Sequence, residues 1–171
     1  MKLETERLTL RLWTEEDLEL FLTLSNDPGF NNYSTGRYDD LTEEKARKFI
    51  RENEQHFTNR GLGRFGVFLK GDQTPIGICG LFEMSEAPFK GHLAIGYRFA
   101  GAHWGNGFAC ESAAEILRYG LDDLGFKEIM ALIDPSNSRS VRVAEKLNLI
   151  FTGEVIYKGK ACQRWTTRSV V

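Results

Sequence analysis

One stretch, a strand that runs into a glycine-punctuated turn and then a helix between Leu93 and Ala113, constrains this chain more than any other. Leu93, Ile95, Tyr97 and Phe99 alternate with Ala94, Gly96 and Arg98, which is the period of a strand. Ala109, Ala113, Ile116, Leu117 and Leu121 then recur at the three-and-four spacing of a helix with one buried stripe. Trp104-Gly105-Asn106-Gly107-Phe108-Ala109 is the junction. The first N–H groups of a helix have no partner inside it and lie at the positive end of its dipole, so such a junction makes an anion site from backbone alone. Gly105 and Gly107 remove side chains that would hold a phosphate away, and the dipole adds about 0.3–2 kcal/mol for an anion. A purely structural turn satisfies the same residues equally well.

Two familiar phosphate loops differ from this one. The nucleoside-triphosphatase loop needs Lys and then Ser or Thr after its last glycine, whereas Phe108 and Ala109 follow Gly107. A dinucleotide fingerprint wants a third small residue where Cys110 stands, although Asp134 loosely supplies its acidic residue, so a nucleotide-binding α/β domain stays as a rival.

The chain of 171 residues is long enough for one domain with its own core, and the reading takes 1–171 as that domain. A net charge of -2 offers no bulk attraction to nucleic acid, so a nucleic-acid partner is not expected. Met1-Lys2-Leu3-Glu4-Thr5-Glu6-Arg7 lacks the apolar core of a signal peptide and no later run approaches a membrane span, which places the chain in the cytoplasm, away from membranes. Cys79, Cys110 and Cys162 are odd in number and far apart, so neither a disulfide framework nor a metal site is expected.

In chain order, Leu8, Leu10 and Leu12 give a first strand, and Thr14 caps a helix with Leu18, Phe21 and Leu22 on one face, stopped by Asp27-Pro28-Gly29. Phe30 to Asp40 is polar and aromatic. Thr42 with Glu43 and Glu44 opens a second helix that ends at Arg60-Gly61. Phe65 to Leu69 and Ile76 to Phe82 form an antiparallel pair, and a hairpin through Met84 to Lys90 leads into the Leu93 strand. Ile129 to Ile133 is apolar throughout, as a strand covered on both faces should be, and it follows the third helix by a right-handed crossover that makes it parallel to the Leu93 strand. Asp134-Pro135-Ser136-Asn137-Ser138 starts a fourth helix, Asn148 closes it, and Phe151–Tyr157 with Ala161–Val170 form a closing hairpin.

This order resembles the GNAT superfamily of acyl-CoA-dependent N-acetyltransferases over nearly the whole chain. The pieces that carry the resemblance are Thr5-Glu6-Arg7-Leu8-Thr9-Leu10-Arg11, Ile95-Gly96-Tyr97, Trp104-Gly105-Asn106-Gly107-Phe108-Ala109, and Asn137 three before Ser140 leading into Glu145-Lys146-Leu147. Together they look like the RimJ/RimL branch, the ribosomal-protein N-terminal acetyltransferase type. The resemblance implies an α/β (α+β) fold with a mixed, mostly antiparallel central sheet of about seven strands flanked by four helices, parallel and splayed at strands four and five. It implies acetyl-CoA as cosubstrate without a metal, an amine acceptor that is a peptide N-terminus or a small molecule, and a monomer or homodimer.

Carried over by position, the resemblance sets the pyrophosphate of CoA on the turn from Trp104 through Gly105, Asn106, Gly107 and Phe108 to Ala109. The pantetheine arm would run along Ile95, Gly96, Tyr97, Arg98 and Phe99, with a bulge at Gly96, and Asn137 and Ser140 would meet it in the gap between the strands. The chemistry implied is direct attack of a neutral amine on the acetyl carbonyl. It needs a base for the amine, a donor for the oxyanion and an acid for the leaving thiolate. A backbone N–H near Tyr97 or Arg98 would serve the oxyanion, and Ser140 or Tyr157 would donate to sulfur.

Many such enzymes carry Glu directly before Ile-Gly-Tyr, and here that residue is Ala94. His92, two residues back on the same face of the strand, and Glu83, ending the third strand, are the base candidates. Tyr33, Arg37 and Tyr38 are the residues available to hold the acceptor. The missing glutamate also leaves room for a non-catalytic acyl-CoA-binding module.

Overall fold

The computed structural model describes residues 1–32 and 41–167. Among them the chain runs β1 (Lys2–Glu4), β2 (Leu8–Arg11), α1 (Leu18–Ser25), α2 (Pro28–Asn31), α3 (Glu43–Arg60), β3 (Arg64–Leu69), β4 (Pro75–Glu83), β5 (Leu93–Phe99), α4 (Phe108–Arg118), β6 (Met130–Ile133), α5 (Ser138–Lys146), β7 (Ile150–Tyr157) and β8 (Lys160–Thr166). The strands form one sheet in the order β1-β2-β3-β4-β5-β6-β8-β7. Every neighbouring pair is antiparallel except β5–β6. That single parallel pair excludes the doubly wound parallel sheet of a nucleotide-binding domain.

The described strands number eight rather than about seven, and the α-helices five rather than four. The extra strand is β1, which pairs along β2 and buries Leu3. The extra helix arises where a stop was expected. Asp27 accepts a hydrogen bond from the Phe30 N–H at 3.0 Å and Pro28 stands in the first turn, so the residues that end α1 also begin α2.

Alternation along the strands divides the core into two layers. Leu10, Val67, Cys79, Leu81, Ile95 and Phe99 face α4, where Ala113, Ile116 and Leu117 meet them. Phe68 and Ile78 face the other way, against Trp13, Phe21, Ala46 and Ile50 around α1 and α3. A third cluster of Met84, Ala94, Met130, Tyr157 and Cys162 fills the same side further along.

α3 begins with Thr42, whose hydroxyl accepts from the Lys45 N–H, and closes on Gly61 in the left-handed region at φ 71°. α5 closes the same way one residue past Leu147, on Asn148 at φ 56°. No helix among the described residues is long and apolar enough to cross a membrane.

Candidate acyl-transfer site

β5 pairs with β4 in unbroken register from Gly77↔Phe99 to Glu83↔Leu93, but with β6 only at Ala94↔Met130. Beyond that pair the two parallel strands part, as expected for strands four and five of the predicted sheet. The backbone groups of β5 turned away from β4 meet no strand partner there among the described residues. Two cavities open into the gap. One, of about 480 Å³, extends over β4, β5 and β6, and the other, of about 350 Å³, extends toward the turn before α4. They share Asn32, Tyr97, Arg98, Asn137 and Ser140 as walls.

The unbroken register contradicts the bulge expected at Gly96. The glycine has another cause: a Cβ there would lie 3.0 Å from the Phe82 ring. Gly96 also stands directly opposite Gly80.

At the turn, Gly105 and Gly107 both have positive φ, 79° and 80°, a conformation that glycine adopts without strain. Gly107 occupies the cap position of α4 without a side chain to satisfy the first turn. The N–H groups from Gly105 to Cys110 donate no backbone hydrogen bond to another described residue. Around them the turn is fastened. Trp104 Nε1 donates to Phe99 O at 2.9 Å, and Asn106 Nδ2 donates to the carbonyls of His103 and Trp104. Arg7 Nη1 donates to Asn106 O at 3.0 Å. Asp27 Oδ1, which caps α2, also accepts from Gly101 N at 2.9 Å, so α2 and the approach to the turn share one carboxylate oxygen.

The cleft beside this turn carries Arg139, Arg142 and Lys146 of α5, and Arg139 lies over the Trp104 ring at 4.5 Å. A run of N–H groups without backbone acceptors beside three cations suits a phosphate-rich ligand. The cations were not singled out in the sequence, although their spacing of three and four already placed them on one helical face.

At the mouth of the gap, Asn137 caps α5. Its Oδ1 accepts from Ser140 N at 3.2 Å and its Nδ2 donates to Ser140 Oγ at 3.0 Å. Ser140 Oγ is thereby held as an acceptor, which leaves its own proton to point elsewhere. Tyr97 donates its hydroxyl to Ser140 O at 3.4 Å, and burial pushes the phenol well above its ordinary value, so it stays protonated.

The structure brings Ser140, Tyr157 and Glu83 to the walls of the larger cavity. Tyr157 is buried there among Met84, Ala94 and Met130. Glu83 ends β4 with its carboxylate ion-paired to Arg60. His92 is placed apart, among neither cavity's walls. Its Nδ1 lies 3.1 Å from Phe89 O and its ring meets the Phe89 ring edge-on at 5.8 Å, because the turn before β5 folds it back. Tyr33, Arg37 and Tyr38 lie outside the described residues. Sequence reading missed Arg64 and weighed Asp134 only for a nucleotide site; both line the larger cavity with Lys158. No group of three or more His, Cys, Asp or Glu side chains suited to a metal occurs among the described residues.

A sheet wedged open beside a turn of free backbone N–H groups is the kind of site a coenzyme-A-type acyltransferase could use. The chain belongs to the acetyltransferase (GNAT) domain family, whose model matches residues 7–150, and it is an acyltransferase of that family. It is 34% identical over 152 residues to YkkB of Bacillus subtilis (strain 168), an uncharacterized protein, covering 88% of this chain and 86% of that one. It is 31% identical over 147 residues to an uncharacterized N-acetyltransferase, p20 of Bacillus licheniformis, covering 85% and 80%. Among solved structures, RimL, a ribosomal alpha-N-protein acetyltransferase in complex with coenzyme A, superposes with a TM-score of 0.82 at 15% identity, covering 98% of this chain and 97% of that one. The fold is therefore of the RimJ/RimL-like GNAT kind.

Proposed function

We propose that the chain is an acetyl-CoA-dependent N-acetyltransferase that transfers the acetyl group to a primary amine by direct attack, with both substrates bound at once. The observation that carries this reading is the pair of cavities joined at the β5–β6 gap, one reaching the phosphate turn and the other the far side of the sheet. A cosubstrate seated on the turn and an acceptor entering from the other cavity would meet beside Tyr97 and Ser140. The likeness to p20 and to the CoA complex of RimL points the same way.

The residues present fit coenzyme A. The N–H groups from Gly105 to Ala109 and the cations Arg139, Arg142 and Lys146 would hold its phosphates. The edge of β5 turned from β4 around Tyr97 has no β6 partner among the described residues and would meet an amide-bearing arm, and Asn137 keeps a second Nδ2 hydrogen for it. When bound, the thioester supplies the electrophilic carbonyl.

The remaining work belongs to this chain. The backbone near Tyr97 and Arg98 would donate to the oxygen on which charge develops. Ser140 Oγ–H, turned outward by its bond from Asn137, would protonate the departing sulfur. Glu83 is the carboxylate at the cavity wall positioned to take the amine proton through water, once the acceptor weakens its pairing with Arg60. Asp134 also lines this wall, but the Ser136 hydroxyl and N–H hold its carboxyl below the usual range, which makes it a poor base.

An α-amine with a pKa near 8 costs about 1 kcal/mol to hold neutral at pH 7, against about 4–5 kcal/mol for a lysine amine. With Ala94 where the resemblance leads one to expect glutamate, a peptide N-terminus asks little of a base, whereas a more basic small amine would lean on Glu83. The free thiols Cys79, Cys110 and Cys162 agree with a reducing, cytoplasmic setting.

Acetyl transfer read by mass spectrometry tests the reading, using acetyl-CoA with one pool of free-N-terminus peptides and one of small amines. A gain of about 42 Da, the mass of an acetyl group, on a member of either pool is the expected result. Acetyl-CoA binding without transfer to any amine would instead favour a non-catalytic module.

A further inference from the structure

We infer that the acceptor is a small amine that carries a carboxylate or phosphate group close to its amine, and that Arg64 binds this anion; the inference rests on the N-acetyltransferase reading above. Arg64, Gly80 and Gly96 stand opposite one another on β3, β4 and β5, so they form one row on one face of the sheet. Neither glycine puts a side chain across that row. The Arg64 guanidinium leans over it onto the Phe82 ring, 4.2 Å from the centroid. Strands lie about 4.8 Å apart, so β5 is within reach of this side chain. Gly96 immediately precedes Tyr97, where β6 has left β5 and the reacting carbonyl would lie.

The charged walls of the larger cavity are Arg64, Arg98 and Lys158 against Glu83 and Asp134. Glu83 pairs with Arg60, Lys158 with Glu86 at 2.9 Å, and Asp134 accepts from the Ser136 N–H and hydroxyl. Arg98 lies over the Phe30 ring and has a partner of its own. The Arg64 guanidinium makes no hydrogen bond or ion pair with a described residue.

Its backbone, by contrast, is fixed. Asn53, buried on α3, accepts from Arg64 N at 2.7 Å and donates to Arg64 O at 3.1 Å. A half-buried guanidinium placed over an aromatic ring keeps its N–H donors for the planar oxygens of a carboxylate or for a phosphate. A neutral amine leaves that edge unmet, and a polyamine is repelled by it. The cavity of about 480 Å³ holds a molecule of amino-acid size with amine and anion together.

The test compares acetyl transfer to two matched pairs, glycine with glycinamide and 2-aminoethyl phosphate with ethanolamine, by the wild-type protein, Arg64→Gln and Arg64→Lys. Dividing the wild-type preference for the anionic member by the variant's cancels differences in amine basicity. Arg64→Gln should lower that preference about tenfold or more, while Arg64→Lys keeps part of it. Melting curves and acetyl-CoA affinity measured on each variant separate this effect from misfolding. An equal loss for both members of a pair, or transfer confined to neutral amines, overturns the inference.

Binding of the same amines to the CoA complex, followed by ligand-observed NMR, requires no turnover. Anionic amines that bind the wild type and not Arg64→Gln, without any transfer, would keep the anion site and defeat the acetyltransferase reading. Transfer without anion preference would do the reverse, and neither binding nor transfer would overturn the anion site.

Discussion

Arg7 and Glu111, 104 residues apart, are locked together at the entrance to α4, with Arg7 Nε and Nη2 donating to Glu111 Oε2 at 2.7 and 2.6 Å. The other carboxylate oxygen accepts from the Arg7 N–H at 2.9 Å and from the Thr5 hydroxyl at 2.5 Å. The same guanidinium reaches Asn106 O and lies over the Phe108 ring. The Thr5-Glu6-Arg7 segment thus acts as a clasp that holds the phosphate turn against the start of the sheet. Glu111 also sits in the first turn of α4, where a negative charge favours the helix.

Glu111→Gln should loosen this clasp. Arg7 is nearly half exposed, so the ion pair itself contributes about 0.2–1 kcal/mol, and the bonds from Thr5 and the Arg7 N–H add about 1 kcal/mol more. The variant is expected to melt a few degrees lower and to show a raised KM for acetyl-CoA with little change in kcat. Thermal unfolding and steady-state kinetics measure the two effects.

Acid should remove the same support. Burial works to raise the Glu111 carboxyl, but the bonds from Thr5 and Arg7 outweigh it and hold the group below 4.5. Asp17 behaves likewise below 3.8, with burial opposed by Arg11 and Thr14. A depressed folded-state pKa gives stability that is present above the unfolded value and lost as pH falls through the folded one. Denaturant midpoints should therefore hold down to about pH 5 and fall below about pH 4, and Glu111→Gln should show a shallower fall. A parallel fall in the variant would show that Glu111 contributes nothing to acid sensitivity.

The two turn glycines should differ in their response. A Cβ on Gly105 meets no atom within 4 Å, so Gly105→Ala costs only the positive φ, about 1–2 kcal/mol. Gly107 has the same φ, and a Cβ there lies 3.4 Å from Arg7 Nη2. Gly107→Val is expected to strain the backbone, disturb the clasp and weaken acetyl-CoA binding at least about tenfold by calorimetry, a loss of about 1.4 kcal/mol. Unchanged affinity in a folded Gly107→Val protein would remove the turn from the cofactor site.

Glu83 and His92 are separated by their positions. Glu83→Gln should lower kcat by about a hundredfold with acetyl-CoA affinity retained, whereas His92→Ala, outside both cavities, should stay within about twofold of wild type. A kcat–pH profile that survives Glu83→Gln unaltered would return the proton to solvent.

What could be read in advance follows how local each feature is. The strand, turn and α4 were legible because alternation, two glycines and a helical stripe are written within about twenty residues. Asn137 and Ser140 came from the resemblance, and the structure places them as a cap and its third residue, near neighbours in the chain. The acceptor side was not legible in this way. Arg64 meets Gly80 and Gly96 only through the register of three strands, and register leaves no short-range mark. His92 has the parity of Ala94, yet the Phe89 turn outside the strand decides where its ring goes. The bulge at Gly96 came from the resemblance, while the structure shows the Phe82 edge close to where a Cβ would stand. Asp27 looked like a terminator because its second task, holding Gly101, lies 74 residues away.

The turn before α4 would grip a phosphate with peptide groups beside the α5 cations, and the peptide part asks of the gene only a sign of φ at two positions. The chamber across the sheet takes its charge from side chains instead, Arg64, Glu83, Arg98, Asp134 and Lys158. Substitutions at Arg64, Glu83 or Lys158, which wall only this chamber, would therefore change the choice of amine without touching the turn before α4. A lineage built on this plan can acquire new acceptors by point mutation while its currency stays constant.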